Sequence, residues 1–151
     1  MPLEYSQTIE ISKPLAEVIE AYDSTENLKY WQPGLQEFTP ISGEPGKTGS
    51  KSKMVFLNGK RTIEMVETIT KNELPRSLAC TYEAKGVFNE MENSFREDSG
   101  KTFLTSHNVF HFKGFMKLLG VLMPGAFKKQ SMEYMNNFKA FVEDGKSVLS
   151  E

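Results

Sequence analysis

The sequence predicts an α+β fold: a seven-stranded antiparallel sheet covered by one long C-terminal helix, with two short helices between the first and second strands. Three observations carry that expectation. Residues 124–144 repeat apolar side chains at helical spacing. Residues 51–113 alternate apolar and polar side chains in runs separated by turn residues. Between Ser12 and Trp31 lie two brief helical patterns. The long segment sets the architecture. At 100° per residue, Phe127, Ser131, Tyr134, Met135, Phe138, Phe141 and Val142 fall in one stripe about 120° wide, and charged or amide side chains take most of the rest. Pro124 suits a first helical position and Gly145 a terminator. A rod of about 30 Å needs a sheet to lie on, and the pattern points to an apolar cavity enclosed between the two.

Composition bounds the function. At 151 residues the chain is expected to form one domain, 1–151, able to bury a core without staples. A net charge of -2 gives no global basic field, so no nucleic-acid partner is expected. Cys80, the single cysteine, excludes an intrachain disulfide and a zinc site built on several thiolates. Met1-Pro2-Leu3-Glu4-Tyr5 has none of the regions of a signal peptide. The most apolar run, 115–127, is broken by Lys117, Gly120 and Pro124 and is too short to span a bilayer. The expectation is a cytoplasmic protein with no integral membrane segment and no cofactor, monomer or homodimer. Eight methionines and eleven phenylalanines fit either an irregular core or an adaptable binding surface.

Taken in order, Tyr5, Gln7, Ile9 and Ile11 alternate with Glu4, Ser6, Thr8 and Glu10, as in a half-buried strand. Ser12 reads as the N-cap of a helix carrying Leu15, Val18, Ile19 and Tyr22. Asp23 or Ser24 restarts the chain into a helical turn ending near Trp31, and Pro33-Gly34 stops it. Residues 35–42 form the second strand. The next loop contains Gly46-Lys47-Thr48, but a phosphate loop needs a glycine where this chain has Ile41, and a helix where residues 51–57 alternate as a strand. A hairpin loop is expected there. Asn58-Gly59 predicts a two-residue turn that pairs Met54 with Ile63, Ser52 with Met65 and Lys53 with Glu64. Met54, Phe56, Ile63, Met65 and Ile69 then share the buried face, and Glu67 lies on it too. Leu78, Cys80 and Tyr82 continue the inward set. On the last two strands that set is Asn89, Met91, Asn93 and Phe95, then Leu104, Ser106, Asn108, Phe110 and Phe112.

Glu67 is the candidate for chemistry. A carboxylate among Met65, Ile69 and Cys80 has a raised pKa if unpartnered and can serve as acid or base; bonded to a nearby Arg, Tyr or hydroxyl it is structural. Asn89, Asn93, Ser106 and Asn108 share its face, and several polar groups together suit solvent or a ligand with polar atoms better than a dry core. His107 and His111 point outward and stand about 13 Å apart along a strand, too far for one metal, so no metal site is expected. Cys80 faces apolar neighbours and reads as an inert thiol. No Ser-His-acid or Cys-His constellation is legible, which leans the reading away from an enzyme. Trp31 fits core packing or a pocket mouth equally. Residues 115–123, apolar nearly all round, are buried under the sheet's rim, form a lid over the cavity, or touch a membrane.

The order of these elements, together with Ile9-Glu-Ile11-Ser-Lys-Pro14, Trp31-Gln-Pro33-Gly34, the loop from Ser42-Gly43 to Gly49-Ser50, Ile63-Glu-Met65-Val-Glu67, Phe110-His-Phe112-Lys-Gly114 and Met123-Pro124-Gly125-Ala-Phe127, resembles the START and birch-pollen-allergen superfamily. Its bacterial polyketide cyclase/dehydrase-like branch is the nearest in pattern, over essentially the whole chain. The resemblance implies a curved sheet gripping the long helix, the helix-grip arrangement, with a cavity for a hydrophobic or amphipathic small molecule. Members include lipid carriers, hormone receptors, aromatic polyketide cyclases and chaperone-ATPase activators, with no invariant catalytic set to transfer, so fold does not settle function. The first expectation is a non-enzymatic binder or carrier. Its cavity would be lined by Trp31, Met54, Met65, Tyr82, Met91, Phe110, Phe112, Phe127, Ser131, Met135 and Phe138, with Glu67 and Asn108 orienting a polar end of the ligand. The second is a cyclase or dehydratase-like enzyme using Glu67 as acid or base. The third is a protein-interaction module with a collapsed cavity.

Overall fold

A computed structural model describes residues 2–149. The chain runs β1 (Leu3–Ile11), α1 (Leu15–Tyr22), a 3-10 turn (Thr25–Asn27), α2 (Leu28–Trp31), β2 (Leu35–Ser42), β3 (Lys51–Asn58), β4 (Arg61–Glu73), β5 (Ser77–Ala84), β6 (Val87–Asp98), β7 (Lys101–Phe112), α3 (Phe115–Leu122) and α4 (Pro124–Asp144). The strands form one antiparallel sheet in the order β1-β7-β6-β5-β4-β3-β2. From β2 to β7 each strand pairs with the next, which short turns allow. β1 and β2 lie at opposite edges, so α1 and α2 carry the chain across the full width of the sheet. Bulges between Leu35/Glu37 and Pro40/Ser42 in β2, and between Ile69/Lys71 in β4, bend those strands and curve the sheet.

α4 is fastened along β1. The Tyr5 hydroxyl lies 2.7 Å from Ser131 Oγ and donates to the Phe127 carbonyl at 3.0 Å. Further along, Gln7 Nε2 donates to the Lys128 carbonyl, Lys139 Nζ to the Glu10 carbonyl, and the Ser12 amide to the Glu143 carboxylate. Strand and helix therefore run in the same direction. Met135 and Phe138 of α4 enter a closed core with Ile11, Val18, Trp31, Phe95 and Leu104. There Phe138 meets the Trp31 and Tyr22 rings edge-on, at 5.0 and 5.6 Å between centroids. Gly145, at φ 67, ends the helix in the left-handed conformation, as expected of its position.

The structure corrects four local expectations. Ser12 does not cap α1: Pro14 holds the N-cap position, and the Leu15 amide is taken instead by the Glu97 carboxylate of β6 at 3.2 Å. The β3–β4 turn is Gly59-Lys60, not Asn58-Gly59, with Asn58 opposite Arg61. Gly59 at φ 66 takes the first central position, where a type II′ turn wants glycine. Register thus shifts by two, Met54 facing Met65 and Ser52 facing Glu67, while parity and the choice of inner face survive. Lys53 now pairs with Val66 in the ladder yet still reaches Glu64 diagonally, at 3.3 Å. Ile63, near the tip of this hairpin, is 37% exposed and does not join the buried face. Finally, residues 115–122 form a helix of their own.

Burial ranks these residues energetically. Phe138 is 1% exposed and Phe115 72%. Phe138→Ala is expected to lower the unfolding free energy by about 3–5 kcal/mol and Phe115→Ala by less than about 0.5 kcal/mol, as read by urea titration.

Candidate functional site

Between α4 and the concave face of the sheet lies a cavity of about 290 Å³, near the lower end of the range for small-molecule sites. It exists because α4 approaches β1, α1, α2 and α3 closely and stands away from the central strands. The register dictates which side chains meet inside it. Met54 faces Met65, Cys80 faces Met91, and Met91 faces Asn108, all on the inner side. Across them runs a polar row: Ser52 opposite Glu67, Glu67 opposite Tyr82, Tyr82 opposite Asn89. The Tyr82 hydroxyl donates to Glu67 Oε2 at 2.7 Å. Asn89 Nδ2 donates to Asn108 Oδ1, and Asn108 Nδ2 to Ser106 Oγ, each at 3.2 Å.

Where the cavity meets the aromatic core, Asn93 Nδ2 donates to the Tyr22 hydroxyl at 2.8 Å. Two polar atoms there are left over. Asn93 Oδ1 and Trp31 Nε1 have no hydrogen-bond partner among the described residues, and both side chains belong to residues only 8% exposed that line the cavity. Each such atom costs about 1–3 kcal/mol unless something inside the cavity bonds it. Trp31 packs on the core and also walls the cavity, while the mouth is formed by other residues.

Burial pushes the Glu67 carboxyl above its ordinary pKa, against the opposing pull of the Tyr82 hydrogen bond. Burial, reinforced by nearby Glu67, also raises Cys80, which keeps it a thiol. The Tyr22 and Tyr82 phenols are raised for the same first reason and stay protonated. His107 lies on the outer face between Ser6 and Glu4, and His111 beside Glu90. Among the described residues no group of three or more His, Cys, Asp or Glu is placed to hold a metal. No described helix is long and apolar enough to cross a membrane.

Of the residues singled out in the sequence, Trp31, Met54, Met65, Glu67, Tyr82, Met91, Asn108, Phe110, Ser131, Met135 and Phe138 all border the cavity. Phe112 and Phe127 do not. Phe112 stacks on Phe110 and Phe127 packs at a tilt against both, its centroid 5.0 Å from that of Phe112, in an aromatic plug between the cavity and α3. The strand parity of Phe112 was right, but the Gly120 turn of α3 sits directly on its ring and takes that surface. Tyr22, Ser52, Tyr134 and Gln130 also line the cavity and were not singled out as site residues. Parity did mark Ser52, and helical spacing did place Tyr22 and Tyr134 on apolar faces. Asp23, Thr25, Pro45 and Gly46 both line the cavity and reach solvent, which sets a mouth between the end of α1 and the β2–β3 loop. That loop is not a phosphate cradle: its Gly46 carbonyl accepts from Asn72 Nδ2, Thr48 Oγ1 accepts the Asn72 amide, and β3 follows.

No family model and no curated protein matches the chain. Solved structures do. Ara h 8.0201 superposes with a TM-score of 0.78 at 16% identity, covering 94% of this chain and 98% of its own. The Zhui aromatase/cyclase from Streptomyces sp. R1128 gives 0.77 at 12% identity over 95% and 94%. Norcoclaurine synthase from Thalictrum flavum, in complex with dopamine and hydroxybenzaldehyde, gives 0.71 at 13% identity over 97% and 90%. These likenesses show the fold. The protein has the helix-grip fold, a curved antiparallel sheet closed around its C-terminal helix, as the resemblance led one to expect.

The state of Glu67 is open to direct test. Its folded pKa lies above the unfolded value of about 4.3, so the folded chain holds this proton more tightly. Below that pH both states are protonated and Glu67 costs nothing; as pH rises through the folded pKa, stability is lost. Glu67→Gln is therefore expected to unfold at higher urea than the wild type at pH 7, the gap closing by about pH 4. Equal midpoints at both pH values would mean the carboxyl is not destabilised by burial.

Proposed function

We propose that the protein binds a hydrophobic small molecule bearing a polar end in this cavity and releases it unchanged. The observation that carries the reading is the combination of methionine and aromatic walls with two buried polar atoms, Trp31 Nε1 and Asn93 Oδ1, unbonded among the described residues. A donor and an acceptor left unbonded in the wall of this chamber suit a ligand that supplies both once the wall gives way to it, such as a hydroxyl or carboxamide. Met54, Met65 and Met91 are unbranched and flexible, so the chamber adapts to the shape of its occupant. The Glu67–Tyr82 pair and Asn108 offer a second polar contact along the sheet.

A second reading rests on Glu67 itself. A carboxyl with a raised pKa, bonded to a phenol and facing an apolar cavity, is equipped to give or take a proton, as a cyclase or dehydratase-like reaction requires. The third reading, an interaction module with a collapsed interior, has no support in a chain that keeps a cavity of about 290 Å³.

Native mass spectrometry of freshly purified protein is expected to show a co-purifying apolar compound. Anilinonaphthalene sulfonate, titrated as a fluorescent apolar probe, is expected to bind with micromolar affinity. Met65→Trp, which fills the chamber from its β4 wall, should weaken that binding at least about tenfold with the melting temperature little changed. Unaltered probe affinity in this variant would place the probe elsewhere and remove the cavity reading. Glu67→Gln should leave probe binding intact under the first reading, and it should abolish turnover of a cyclisable substrate under the second.

A further inference from the structure

α3 is built the wrong way round for a helix that merely packs on a sheet. At 100° per residue, Met116 and Gly120 share one side, and this is the side against the protein. Met116 touches Gly86 of the β5–β6 turn, and a Cβ on Gly120 would lie only 2.5 Å from the Phe112 ring. The opposite side carries Phe115, Leu118, Val121 and Leu122, exposed by 72, 52, 73 and 66%. Met123, following the helix, is 54% exposed. Five large apolar side chains thus form one continuous face in water, where a monomer ordinarily hides such a face.

The stretch of chain that carries this face has charge of one sign. Lys113 precedes α3, Lys117 lies within it, and Lys128 and Lys129 lie one turn into α4, Lys128 with its Nζ 6.0 Å from the centre of the Tyr5 ring. No Asp or Glu occurs anywhere from Ser99 to Met132 in a chain whose net charge is -2. Among the described residues none of these four lysines is paired with a carboxylate. An apolar face whose neighbouring lysines have no carboxylate partner among the described residues is complementary to a surface that is apolar below and anionic above.

We propose that α3, with Lys113, Lys117, Lys128 and Lys129, docks this protein on an anionic lipid bilayer, with Phe115, Leu118, Val121 and Leu122 entering the boundary between headgroups and acyl chains. A second copy of the chain is a poorer occupant. A two-fold interface brings the same patch from each side and would set the lysines of both copies against one another. A bilayer supplies the phosphates instead. The docked end is also an end of the cavity. Met116 and Gly120 lie on the β5–β6 turn and on Phe112, the outermost ring of the aromatic plug, and Gln130, exposed and one turn beyond Phe127, lines the cavity wall. Docking would place that plug at headgroup level. The docking itself does not depend on what the cavity holds.

Flotation with vesicles tests this on the full-length chain. Wild-type protein is expected to float with vesicles of phosphatidylcholine containing about 30 mol% phosphatidylglycerol and to stay behind with phosphatidylcholine alone, the binding fading as salt shortens the reach of the charges. Lys117→Glu with Lys129→Glu should cut partitioning at least about tenfold, at roughly fivefold per lysine neutralised. Phe115→Ser with Leu118→Ser should do the same while the melting temperature holds, since both side chains already sit in water. No flotation of the wild type with anionic vesicles overturns the proposal, as does equal flotation of both variants. Sedimentation equilibrium on the same samples gives the remaining outcome. A dimer that the Phe115/Leu118 variant dissociates, with no vesicle binding, assigns the face to a second copy and also overturns it.

Discussion

The position of α4 is the constraint on which the other features depend. It is a rod of about 30 Å tied by hydrogen bonds to an edge strand, at Tyr5, Gln7, Glu10 and Ser12, and locked at its far half by Met135 and Phe138 in the closed core. A helix centred on the sheet would mesh its side chains with those of β4, β5 and β6 and leave a solid core. Held at the edge, it roofs those strands at a distance. The apolar stripe of α4 is thus divided between two jobs. One part closes the core and the other forms a ceiling.

The same division separates the packed core from the cavity. In the closed core the aromatic rings of Tyr22, Trp31, Phe95 and Phe138 meet edge to face or stacked. Such contacts are close-packed and intolerant of change. Around the cavity the walls are largely methionine, serine and asparagine, and where they meet the core two polar atoms, Trp31 Nε1 and Asn93 Oδ1, are left unbonded among the described residues. Those polar atoms lower stability, and the aromatic end offsets the loss. Trp31, packed on the core, and Asn93, bonded to Tyr22, both border the cavity, and each keeps one buried polar atom unbonded among the described residues. A ligand that satisfies them gains affinity from a cost the folded chain already carries.

Much of this was legible in the sequence, for a physical reason. Strand parity is a period of two, so a register error of two residues, as at Gly59-Lys60, leaves every inward residue inward. Glu67, Asn89, Asn93 and Asn108 were therefore placed correctly from alternation alone. The α4 boundaries followed from Pro124 and Gly145, whose backbone preferences are strong. Three things were not legible. The Leu15 cap comes from Glu97 in a distant strand, and no local pattern announces it. Phe112 has the parity of a wall residue, but Gly120 of α3 lies on its ring, and contact between elements is not encoded in periodicity. The orphaned atoms of Trp31 and Asn93 depend on which partners fail to arrive, which only the assembled fold decides.

α3 is the instructive case, because its sequence was read as apolar nearly all round and so gave no direction. Burial of a helix is ordinarily settled by its hydrophobic stripe. Here the inward side was settled by size: Gly120 is the one position in the helix that lets the backbone lie on the Phe112 ring, and a side chain there would collide. Choosing glycine for contact turns the opposite, larger side chains toward solvent. The sheet thus needs α3 only as a thin cover over the aromatic plug. Its outward residues are set free from packing, and their character has to be explained by what lies outside the chain. A cover that only closed the cavity would carry polar residues outward, as α4 does with Lys129, Glu133 and Asn136. An apolar outer face beside lysines that have no carboxylate partner among the described residues meets a different demand, and that demand falls on the surface beside the plug.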